Sequence, residues 1–168
     1  MAFDWRSSLW RQFGAAIDML DDALLACPAE VWFDRSQQPE FWYVAYHTLF
    51  WLDLYLSGSV EGFAPPAPFN LDELDPAGLL PDQPYSKDAL QIYLLHCRQK
   101  CRKTIETLTD DQAGRLCRFS WGDASFFELL LYTMRHVQEH GGQLSLILGQ
   151  KIGWEARWVA RARDGEGI

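Results

Sequence analysis

A chain of 168 residues, 48% of them hydrophobic, has the length for one domain and enough apolar mass for a real core. Its 15 Lys and Arg stand against 23 Asp and Glu, a net charge of −8, with no basic run. That balance excludes nucleic acid as a partner and disfavours anionic membrane surfaces, since both are held by clustered cations.

The N-terminal "MAFDWRSSLWRQF" puts Asp4 and Arg6 where a secretory signal needs an unbroken apolar run. The greasiest stretch, around 41–56, is too short to span a bilayer and is interrupted by Asp53. Four cysteines without a framework spacing fit reduced thiols, so a cytoplasmic chain is expected.

The first helix is predicted from about Asp4 to Ala26. Leu9, Phe13, Ile17, Leu20 and Leu24 recur at helical steps, and Cys27-Pro28 stops them. The second follows Pro39, read as a first-turn residue, and runs as "EFWYVAYHTLFWLDLYLSG" to Gly58. Apolar nearly all round, it should be the most buried of the helices.

Residues 58–85 hold six of the eight prolines and cannot stay regular for long. Phe63, Phe69, Leu71, Leu74, Leu79 and Leu80 nevertheless need somewhere to pack, so this segment reads as a crossover lying over the helices and able to roof a site.

Ser86 caps the third helix, with Asp88 in its first turn and a stripe of Leu90, Leu94, Cys97, Cys101, Ile105 and Leu108. Ser125 and Glu128 open the fourth with a Ser-x-x-Glu box. Its stripe is Leu129, Thr133, His136, His140, Leu144 and Ile147. Residues 150–168 form a tail, with a short turn or helix expected around Trp154 and Trp158. The whole chain, 1–168, therefore reads as a single all-α domain, a four-helix bundle with a long crossover between helices two and three.

Within "RHVQEHGGQ", His136 and His140 are four apart and share one helix face, the inward one. His47, in the middle of the second helix among Tyr43, Val44, Phe50, Trp51 and Leu54, also points inward. Any one of these alone reads as an ordinary core histidine. Three together are harder to satisfy, because each buried imidazole must find partners or cost free energy. One divalent metal satisfies all three, and three protein ligands with open positions describe a catalytic rather than a closed structural centre.

His136-x-x-Glu139-His140 also matches an inverted zinc-peptidase pattern. Those peptidases take a third ligand, a glutamate, from well downstream on a larger α/β domain. Only 28 residues follow His140 here, and Glu139 is turned about 100° from it on a helix. Glu139 is read as a solvated carboxylate or one supporting a ligand. Gln143, one turn beyond His140, is placed to orient a ligand or an imidazole. Tyr46 and Asp53 lie off the His47 face. Cys97 and Cys101 read as core thiols, and His96 as a boundary residue. No basic groove accompanies the tryptophans, so they are not a stacking platform for nucleic acid.

These features together resemble the DinB-like superfamily. The carriers are a long connection after helix two, one His in helix two, His-x3-His in helix four, the phrase "LLLYTMRHVQEHGGQLSLILGQ" and the trailing "GWEARWVARAR" of an uncharacterised branch. The resemblance covers essentially the whole chain. It implies zinc or nickel on His47, His136 and His140. It also implies thiol-dependent S-transfer or isomerisation with a low-molecular-weight thiol such as bacillithiol, mycothiol or glutathione, and a homodimer.

Two functions follow as expectations. One is a metal-dependent S-transferase or hydrolase, activating a thiol or water against a small electrophilic substrate. The alternative is a non-catalytic helical homodimer whose metal is structural or vestigial and whose pocket binds a small ligand.

Overall fold

A computed structural model describes residues 4–78 and 81–164. Among them the chain is mostly helical, in the order α1 (Trp5–Ala26), α2 (Ala29–Trp32), α3 (Phe41–Ser57), α4 (Lys87–Thr107), α5 (Asp110–Ala113), strands β1 (Leu116–Phe119) and β2 (Gly122–Ser125), and α6 (Phe126–Ile152).

The long helices begin and end where their local chemistry requires. Asp4, Ser86 and Ser125 each cap a helix, accepting from the backbone N–H of Arg6, Ala89 and Glu128. Helix α1 stops at Cys27, which turns extended ahead of Pro28. Helix α3 stops at Gly58 in the left-handed region, φ 74°. A side chain there would be strained and would also collide with the Arg115 guanidinium.

Pro39 does not take the first turn of α3. It precedes Glu40, the N-cap, whose carboxylate instead accepts from Trp42 Nε1 at 2.7 Å and pairs with Arg35 at 3.3 Å.

Helix α1 packs against α4 and α6, and α3 packs against the same two, so each long helix has two long neighbours. The core between them takes the predicted stripes of α1 and α4 whole, plus Trp32, Trp42, Tyr46, Phe50 and Tyr93. The described residues of the segment 58–86 cross over this core. Phe63 and Phe69 are buried and Leu74 packs against the core, whereas Leu71 is exposed. Leu79 and Leu80 lie outside the described residues. Among its described residues a single 3-10 turn, Asp72–Leu74, interrupts the crossover.

Two further features depart from the sequence reading. Between α5 and α6 the chain makes a hairpin, pairing Leu116 with Ser125 and Phe119 with Gly122. Strands of four residues, one of them Gly-Asp-Ala-Ser, are too short and too weakly alternating to signal themselves. The described part of the tail, residues 154–164, is not a helix. It runs irregularly back across α1, with Ala162 N–H donating to Arg11 O at 2.7 Å. Its approach is close enough that a Cβ on Gly14 would sit 2.5 Å from the Ala162 Cβ. Trp154 packs on the core, and Trp158 is 75% exposed.

Candidate metal centre

Helix α3 carries Tyr43, His47, Trp51 and Tyr55 at four-residue steps, and α6 faces it with Tyr132, His136 and His140. The packing of these two helices brings the three imidazoles together. Their ring centroids are 5.2 Å (His47–His136), 5.1 Å (His47–His140) and 4.5 Å (His136–His140) apart. One candidate ligand atom from each lies within 4.8 Å of the other two. The Nε2 atoms of His47 and His136 are 3.3 Å apart. Two nitrogens about 2.0–2.1 Å from one tetrahedral ion stand roughly 3.3–3.4 Å apart, so this spacing fits an ion.

The hydrogen bonds on the far side of two rings reinforce the fit. His47 Nδ1 is 2.7 Å from Glu73 Oε2, and His140 Nδ1 is 3.0 Å from Gln143 Oε1. A carboxylate and an amide carbonyl only accept, so each Nδ1 is the donor, and Nε2 is the atom that offers a lone pair in the neutral ring.

His136 is different. Among the described residues its Nδ1 is buried without a partner, and its Nε2 meets only the His47 nitrogen. Burial, then the charges of His140 and His47, push its pKa down to about 3, against a smaller upward pull from Glu73. It is therefore a neutral imidazole across the physiological range, the form a metal takes.

The sequence reading missed Glu73. It sits in the 3-10 turn of the crossover with its side chain 5% exposed. Trp51 Nε1 donates to the same Oε2 at 2.9 Å, and Tyr43 bonds the carboxylate as well. Burial alone would raise this carboxyl. The hydrogen bond and charge of His47, with the hydrogen bonds of Tyr43 and Trp51, outweigh it and hold Glu73 below the usual glutamate value. Spacing could not have located it, because a proline-rich crossover has no period to extrapolate.

Of the other residues weighed, Gln143 reaches His140, and Glu139 is exposed and reaches none of the three histidines. Asp53 belongs to a separate buried cluster between α3 and α4, with Lys100 Nζ at 2.6 Å, Tyr93 OH at 3.1 Å and His96 Nε2 at 3.5 Å. Tyr46 packs on Phe69 and Tyr85.

A family model of the DinB superfamily matches residues 12–144, which include His47, His136, His140 and Gln143. The chain belongs to the DinB superfamily. Among curated proteins and among solved structures nothing matches it. DinB-superfamily membership and the three-His cluster are each compatible with a bound divalent metal, and they agree on the same part of the chain.

Two consequences can be checked. All four cysteines are free and buried, and burial raises each thiol, that of Cys27 to about 12. A thiol-reactive dye should label none of them rapidly in the native protein and all four in denaturant. The second concerns pH. The unfolded chain takes a proton on His136 near pH 6.5, whereas the folded chain resists until about 3. Metal-free protein should thus hold this stability above pH 6.5 and lose it as pH falls toward 3, by at most about 1.4 kcal/mol per unit from this group. Urea denaturation at several pH values should show a shallower fall in His136→Gln. Equal slopes in both proteins would contradict the assignment.

Proposed function

We propose that this protein is a divalent-metal-dependent enzyme, an S-transferase or hydrolase, built as a single-domain four-helix bundle and carrying zinc or nickel on His47, His136 and His140. The observation that carries the reading is the state of the three rings. Two present Nδ1 to an acceptor, so that Nε2 is the atom left for an ion, while the third is buried, neutral and short of partners. Three imidazole nitrogens suit zinc or nickel better than magnesium or calcium, which prefer oxygen. When bound, such an ion supplies a Lewis acid with open positions, able to lower the pKa of a thiol or water.

The protein's own residues prepare that chemistry. Gln143 holds the His140 ring, and burial keeps His136 unprotonated. His47 is 28% exposed, so the triad is approachable from the His47 side. Tyr43 and Trp51 flank His47 on its own helix, with ring centroids 6.0 and 6.3 Å away. They offer an apolar border that would exclude water and position a small electrophilic substrate. Family resemblance supports a low-molecular-weight thiol as co-substrate, a cytoplasmic setting and a homodimer. Exposed Leu146, Ile152 and Trp158 are available to such an interface.

The test is removal and return of the metal. Chelator-treated protein should keep its helical circular dichroism, lose thiol transfer to a panel of small electrophiles, and regain it with zinc or nickel. A chain that melts when the metal is removed would favour the non-catalytic reading, in which the ion is structural.

A further inference from the structure

Resting on the metal-centre reading above, we infer that Glu73 is a positioning residue: the crossover delivers a buried carboxylate that fixes His47 as an Nε2 ligand. Three donors spaced four apart on α3, Tyr43, His47 and Trp51, converge on this one side chain. None of the three is a permanent cation, so the buried carboxylate is held chiefly by hydrogen bonds that α3 supplies. A dication on Nε2 would add a positive charge one imidazole away from that carboxylate.

Glu73 cannot act as a direct ligand in this arrangement. Its Oε2 is shared by His47 Nδ1 and Trp51 Nε1, on the side of the ring opposite Nε2, and the three-His group that could hold an ion does not include it. It acts through His47, setting the tautomer, holding the ring plane and raising the basicity of Nε2. The same contact joins the crossover to the site, since Glu73 lies in the turn Asp72–Leu74 and Leu74 packs against the core.

The experiment compares wild type, Glu73→Gln and Glu73→Ala. With only four histidines in the chain, two-bond 1H–15N spectra of metal-free protein resolve which nitrogen of His47 is protonated. Zn2+ affinity is read by competition with a chelator, and folding by thermal melting. The expected result is an Nδ1–H tautomer in wild type and mixed tautomers in Glu73→Ala. Zn2+ affinity should be about 10- to 100-fold weaker in Glu73→Ala. Glu73→Gln keeps an acceptor and loses the charge, so it should hold the tautomer and show a smaller loss; it carries the test if the Ala variant fails to fold.

A mere anchor for the crossover would lower the melting temperature and leave tautomer and affinity alone, and that outcome overturns the inference. So does Zn2+ bound equally tightly by wild type and both variants, which leaves the metal-centre reading standing. A wild-type chain that binds no Zn2+ contradicts that reading and takes the ligand role of His47 with it.

Discussion

Arg98→Ala is expected to destabilise the protein by about 3–5 kcal/mol, the cost of leaving a buried charge without its partner. Arg98 and Asp18 are 7% and 6% exposed at their side chains, with Nε to Oδ1 at 2.9 Å. The pair ties three parts of the chain together. Asp18 is on α1 and Arg98 on α4, and both reach the tail: Arg98 donates to Arg163 O at 2.9 Å, while Arg163 N–H donates to Asp18 Oδ2 at 2.7 Å. Truncation leaves Asp18 in a low-dielectric setting with one backbone N–H from the tail, and removes one of the two cations beside the Trp10 ring, the one 5.3 Å away. Urea denaturation should show the loss. Limited proteolysis should cut the tail at lower protease concentration. A change below about 1 kcal/mol would mean that water or side-chain movement relieves Asp18, as at an exposed ion pair.

Phe69→Ala is expected to cost a similar amount, about 3–5 kcal/mol, although it lies in the irregular crossover. Its ring stacks on Tyr93 at 4.4 Å and on Tyr46 at 5.9 Å, and meets Tyr85 at 4.8 Å. With 7% exposure it is a core residue in all but secondary structure. The cavity would open under the crossover, four residues before Glu73. The variant should therefore also hold metal less tightly, whereas an equally costly truncation remote from the site, such as Phe13→Ala, should not. Equal metal affinity in both would show that the crossover's packing and the site are independent.

The long helices were legible because each carries its own boundary chemistry and a stripe that repeats: Asp4, Ser86 and Ser125 at the starts, Cys27-Pro28 and Gly58 at two of the ends. His136 and His140 were legible as a pair for the same reason, since a step of four on a helix is a geometric statement. His47 required the further step that its helix packs against α6. Its ring proves half-buried rather than fully inward, because Tyr43 and Trp51 on the same stripe lie at the border of the core.

What escaped the sequence is what depends on long-range docking. Glu73 reaches His47 across 26 residues, and nothing within the crossover distinguishes it from Asp72 or Asp75. The hairpin owes its place to packing at Trp121, which stacks on Tyr132 at 4.7 Å and donates to Tyr55 OH at 3.2 Å. The tail's path is fixed by Asp18 and Arg98, both of which read locally as ordinary polar positions on amphipathic helices.

The most direct test of a three-histidine metal centre is elemental analysis of untagged wild-type and His136→Ala protein, with metal counted per chain. About one zinc or nickel per wild-type chain, absent from the variant while its helical circular dichroism is retained, is the expected result. A wild-type chain that stays metal-free after reconstitution with either ion would contradict the account, and the three rings would then be core histidines brought together by helix packing alone.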